Sequence, residues 1–209
     1  PSSRDPEGWA DWLADRGFDS VRLRPDRALL TARGVPFFLS FYAAFIERLA
    51  RRGSDRSPVE EGARAFLSRL SWDLPGVDIF QELAYAPDGG VHTSSQGMEL
   101  AEARWPDFRL GEAGRLRYED IAGLEVARAC LTAALSENQP MCTQCVYKTY
   151  CTLPPSVNMA LQGSVWGDMA SSPLCALHMG LLDYLFASLE REPVAGLISK
   201  WGVAKTQQF

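Results

Sequence analysis

Three of the chain's five cysteines fall in the segment MCTQCVYKTYC, residues 141–151, as Cys142, Cys145 and Cys151 in a C-x2-C-x5-C spacing. A fourth, Cys175, follows after twenty-three intervening residues, just before an apolar helical pattern. No other feature of the sequence limits the fold as strongly, because thiols grouped in this way either cross-link or share a metal. A disulfide scaffold is excluded on count: five cysteines in 209 residues are too sparse, and their number is odd. The remaining choices belong to a reducing compartment, and the expected location is the cytoplasm.

Zinc and iron both take thiolates, and a C-x2-C turn aims two sulfurs at one centre. Structural zinc sites usually pair two such turns or add two histidines. This chain has one C-x2-C, and its only histidines, His92 and His178, do not form an H-x3–5-H pair. A tight three-cysteine loop with one remote cysteine suits a four-iron cluster. The remote Cys175 follows Ser-Ser-Pro at an expected helix start, where the helix dipole favours a thiolate. A zinc site and four incidental thiols remain the alternatives. Cys130 differs from the other four, because it lies within a helical pattern near its apolar stripe and reads as a buried free thiol.

The rest of the chain reads as globular. Apolar residues make up 46% and charged residues 22%, and the formal net charge of −5 disfavours a broad nucleic-acid or anionic-membrane surface. No apolar run approaches the roughly 18 residues a transmembrane helix needs, and no signal peptide is seen. Residues 6–16 read as a helix stopped by Gly17, and FDSVRLRP, residues 18–25, as a strand closed by Pro25; together they form an αβ unit. A loop then leads to a helix over 36–52, with Phe37, Phe41, Phe45 and Leu49 recurring every fourth residue. Another helix follows, with Ser57 as N-cap and Glu60 in the capping-box position. The Pro87–Gly90 turn closes a hairpin, and DFRLGEA adds a strand. Residues 118–135 read as one helix with Ile121, Leu124, Leu131 and Leu135 on a face. After the cysteines comes a loop, then a helix striped by Leu177, Leu181, Leu185 and Leu189, then a tail without clear period.

The run from Cys142 to Phe186 resembles the C-terminal cluster domain of radical SAM/SPASM peptide maturases, in particular the His-Xaa-Ser system radical SAM maturases. The matching positions are Cys142, Cys145, Tyr147, Tyr150, Cys151, Pro155, Asn158, Gln162, Gly163, Cys175 and the Tyr184-Leu185-Phe186 run. Upstream, residues 83–113 resemble the family's hairpin and its Phe-Arg-Leu-Gly segment. Residues 9–25 resemble a late helix and strand of the radical SAM barrel. The similarity covers about residues 7–190.

The resemblance implies an α/β fold, the C-terminal end of a partial radical SAM barrel, over residues 1–78. A SPASM-like α+β iron–sulfur domain with a short β-hairpin would occupy 79–190, and a C-terminal tail 191–209. It implies one auxiliary [4Fe–4S] cluster on Cys142, Cys145, Cys151 and Cys175. Pro155, Ser94 and Ser95 stand where many relatives place further cysteines, so ligands for a first auxiliary cluster are missing. The C-x3-C-x2-C motif of the SAM cluster does not occur in this chain. S-adenosylmethionine and a second [4Fe–4S] cluster are therefore expected in an N-terminal half, on the same chain or a separate one. The complete enzyme would use a 5′-deoxyadenosyl radical to modify, by crosslinking, a ribosomally made precursor peptide, with an external reductant. Arg22 or Arg24 would reach the SAM carboxylate from a strand end, since Arg binds carboxylate in bidentate fashion; the alternative for both is a solvated strand edge. The hairpin edge near His92 would offer the peptide a strand to pair with. The partners are then the precursor peptide and the N-terminal half, with no nucleic acid and no membrane. The rival reading is a separate, non-catalytic peptide-recognition subunit stabilised by a cluster or by zinc.

Overall fold

A computed structural model describes residue 2 and residues 4–53, 57–70 and 83–203. The chain divides into two units, Pro1–Asp73 with Pro173–Phe209, and Leu74–Ser172. The expected boundary at residue 78 and the first residues of the expected hairpin strand, 79–82, lie outside the described residues. The chain returns to the first unit at Pro173, so the leucine-striped helix and the tail group there rather than with the cysteine loop's unit.

In the first unit, α1 (Pro6–Asp15) starts at Asp5, whose carboxylate accepts from the Gly8 N–H at 2.8 Å, with Pro6 in the first turn. Gly17, at φ 68°, makes the left-handed turn into β1 (Ser20–Val21). The strand is far shorter than the eight residues expected. It pairs in parallel with β2 (Val59–Glu60), and α2 (Gly34–Arg52) lies between them in sequence. The loop expected before α2 contains a 3-10 turn, Arg27–Leu29, capped by Asp26. Along α2 the buried stripe is Val35, Phe38, Tyr42, Phe45, Ile46 and Leu49; the expected Phe45 and Leu49 are in it, and Phe38 and Tyr42 take the places expected for Phe37 and Phe41. Phe37 is 44% exposed and Phe41 half-buried. Bidentate Arg48–Asp11 bonds of 2.9 and 2.8 Å join α1 to α2, with Arg51–Glu7 and Arg52–Asp15 beside them.

The next helix, α3 (Glu61–Leu70), begins differently from the expectation. Val59 and Glu60 are in the strand, and Glu60 itself caps α3, its Oε2 accepting from the Ala63 N–H at 2.8 Å. Ser57 Oγ is buried without a hydrogen-bond partner. The unit is completed by α8 (Pro173–Ser188) and α9 (Val194–Val203). Leu177, Leu182, Leu185 and Ser188 are the buried positions of α8. Gly180 lets α8 sit close to α2, since a Cβ there would stand 2.4 Å from Leu39 Cδ1. Phe186 meets Phe66 edge-to-face at 4.9 Å. The tail, expected without period, forms α9 on Val194, Ile198 and Trp201, all buried.

The second unit holds a three-stranded antiparallel sheet of β3 (Ala84–Tyr85), β4 (Gly90–His92) and β5 (Arg109–Glu112), in that order. The Pro87–Gly90 turn closes the hairpin as read from the sequence, with Gly89 at φ 86° and the Asp88 carboxylate accepting from Gly90 N–H at 2.8 Å. Between β4 and β5 runs α4 (Ser95–Ala103), not foreseen in the sequence and capped by Ser94, which accepts from the Gly97 N–H at 3.0 Å. The helix expected over 118–135 is broken into α5 (Tyr118–Ile121) and α6 (Glu125–Ala134) by a turn at Ala122–Leu124. The loop expected after the cysteines contains α7 (Pro155–Gln162), stopped by Gly163 at φ 72°. Leu100, Phe108, Leu110, Ile121, Ala127 and Cys130 form this unit's core. No helix among the described residues is long and apolar enough to cross a membrane.

Candidate metal centre

Between α6 and α7 the backbone advances through successive tight turns that carry the three cysteines. Cys142 N–H donates to Gln139 O at 2.9 Å, Cys145 N–H to Cys142 O at 3.1 Å, and Lys148 N–H to Cys145 O at 3.2 Å. A last turn brings the Cys151 N–H to Tyr147 O at 3.0 Å. The C-x2-C spacing is thus one turn with a cysteine at each end, the local geometry that aims two thiols at a shared centre. Cys142, Cys145 and Cys151 are half-buried and free of disulfides. Tyr147 and Tyr150 are half-buried beside them, while Val146 is 80% exposed.

Cys175 belongs to the first unit, as the third residue of α8. The helix start expected from Ser-Ser-Pro is therefore present. The thiol is half-buried and donates to Met179 Sδ at 3.9 Å, one helical turn on.

Cys130 stands apart. It is 3% exposed in the core of the second unit, and burial pushes its thiol up to about 11. A thiol held protonated by apolar surroundings is a poor nucleophile and a poor ligand.

The donor chemistry of the loop fits a thiolate-ligated group. Among the described residues no three His, Cys, Asp or Glu side chains are gathered as a single ion requires. A cubane cluster takes one thiolate on each of four irons at separate corners, so its ligands stand further apart than those of one zinc ion. No family model, curated protein or solved structure matches this chain.

Arg22 and Arg24 are exposed and lie beyond the end of β1, not within a strand. Between them, the Leu23 N–H donates to Glu60 Oε1 at 3.2 Å. Glu60 is fully buried, and its other oxygen accepts from Tyr42 OH at 2.6 Å as well as from Ala63 N–H. Burial, and then the neighbouring Glu60, raise the Tyr42 phenol well above its usual value, so it stays a donor. This one carboxyl pins the backbone that carries both arginines. In the sequence that role is hidden, since the first of two consecutive glutamates after Ser-Pro-Val looks like part of a helix cap.

His92 offers no free edge. Its strand, β4, is paired on both sides, and among the described residues the sheet's edges are β3 and β5. The imidazole is buried with Nδ1 unpartnered, and burial, then the Arg109 guanidinium, push its pKa down. A peptide strand added at this hairpin would therefore pair with β3 and not with His92's own strand, both of whose ladders are occupied.

Proposed function

We propose that this chain is the auxiliary cluster-bearing C-terminal part of a radical SAM enzyme that modifies, by crosslinking, a ribosomally synthesised precursor peptide. The observation that carries the reading is the cysteine loop, a run of short turns that presents three half-buried thiols, none in a disulfide, within ten residues, 142–151. Cys142, Cys145 and Cys151, with Cys175 as the fourth ligand given by the sequence spacing, would hold one [4Fe–4S] cluster. Such a group supplies a one-electron acceptor when bound. The chain's own part is to exclude solvent from the thiols and to orient them, with Tyr147 and Tyr150 packing beside the ligands. Arg22 and Arg24 are the groups offered to the SAM carboxylate. Their exposure, and the backbone pinned by Glu60 between them, support that assignment. The SAM cluster and SAM itself would be supplied by an N-terminal half.

Anaerobic reconstitution tests the cluster directly. The chain should turn brown, absorb at about 400 nm and bind about four irons. Stoichiometric zinc without iron would sink the proposal in favour of a zinc-stabilised recognition subunit, and eight irons would mean a second cluster.

A further inference from the structure

The cysteine loop is closed at its base by two buried amides that meet on one carbonyl. Gln139, just before the loop, is 4% exposed, and Asn158, just after it in α7, is 1% exposed. Gln139 Nε2 donates to Trp166 O at 2.9 Å and to Ala133 O, at the end of α6, at 3.4 Å. Asn158 Nδ2 donates to the same Trp166 O at 3.4 Å and to Val165 O at 3.2 Å. The backbone carbonyl of Gln139 meanwhile accepts from the Cys142 and Thr143 N–H groups at 2.9 and 3.1 Å. One residue thus starts the first cysteine turn and ties it to a segment 27 positions along the chain. The segment is itself braced. Gln162 takes the Asp168 N–H at 2.9 Å and donates to Asp168 O at 3.1 Å. Gly167, at φ 62°, allows the approach, since a Cβ there would stand 2.5 Å from Gln162 Oε1 and 3.1 Å from Asn158 Cγ.

We propose that Gln139 and Asn158 are positioning residues for the cysteines: by sharing the Trp166 carbonyl they hold the two ends of the loop together and set the thiols before any metal arrives. The inference builds on the cluster reading above. The physical reason is general. A loop whose ends are fixed has already given up most of its closure entropy, so a bound group need not order it. Partners one step behind the ligands also commonly set metal affinity. Both amides are buried with their donors satisfied, so losing either leaves the Trp166 carbonyl a single donor and frees one end of the loop.

Native-state hydrogen exchange on the metal-free 209-residue chain tests the clamp without any variant. The amides of Cys142 and Thr143 should share one opening free energy with that of Asp168, as parts of one cooperative unit. Independent opening of the two groups overturns the proposal. In Gln139→Met, which keeps the side-chain length and removes the donor, all three amides should exchange about tenfold faster. The hairpin amide of Ala86, bonded to Gly90 O, should not change. Asn158→Ala should give the same pattern. Unchanged rates at Cys142 and Thr143 in both variants refute the clamp. After anaerobic reconstitution, Gln139→Met should begin with the parent's iron content and lose it to a chelator about tenfold faster; equal loss rates would refute the positioning role. A parent chain that takes up no iron sinks the cluster reading, and the exchange experiment still decides the clamp.

Discussion

Cys130 is the thiol whose behaviour separates core from centre, and labelling can measure it. Burial moves its pKa from the usual 9.0 up to about 11. At pH 7 the thiolate fraction then falls from about one in a hundred to about one in ten thousand. Maleimide reacts with the thiolate, so ionisation alone slows Cys130 about a hundredfold relative to the unfolded chain. Its 3% exposure adds the cost of opening the core around Leu100, Phe108 and Ile121. The assay is a pulse of N-ethylmaleimide on the metal-free chain, read by mass spectrometry after digestion. The same pulse in denaturant supplies the unfolded rate of every cysteine. Native labelling of Cys130 within about tenfold of that rate would refute the reasoning. The linkage has a definite sign. Above pH 9 the unfolded chain loses a proton that the folded chain keeps, so this contribution to stability is whole below pH 9. It falls by about 3 kcal/mol in total as pH rises to about 11.

Cys130→Ala should retain the parent's iron content after reconstitution, whereas Cys151→Ala should lose both cluster and loop order, because site assembly and local folding are coupled; equal loss in both would overturn the ligand assignment. Tyr42→Phe removes a 2.6 Å bond to the fully buried Glu60 and should cost about 1–3 kcal/mol in urea unfolding, with faster exchange at the Leu23 and Ala63 amides. An unchanged urea midpoint would show that Glu60 does not anchor the arginine segment. Lacking the C-x3-C-x2-C motif, the chain alone should form no 5′-deoxyadenosine from SAM and reductant. Formation by this chain alone would refute the proposed division of labour.

The sequence by itself determined whatever is local. α1, the body of α2 and α8 follow from apolar residues at helical spacing, and the hairpin from the chemistry of its Asp-Gly-Gly turn. The cysteine turns are local too, since a C-x2-C closes within a single turn. α4, α7 and α9 carry little periodic signal in the sequence next to stronger elements.

Tertiary structure decided which of two equally apolar alternatives is buried. In α2 the aromatics come in adjacent pairs, Phe37-Phe38 and Phe41-Tyr42, so two stripes fit the same period; packing against α1, α8 and α9 selects Phe38 and Tyr42. Glu60 reads locally as part of a helix start, and only its pairing beside Val21 places the carboxyl under Leu23 and Tyr42. Gln139 and Asn158 are unremarkable polar residues in the sequence. They become a clamp only because the chain returns at Trp166 to offer them one carbonyl, a meeting set by long-range packing and not by any spacing along the chain.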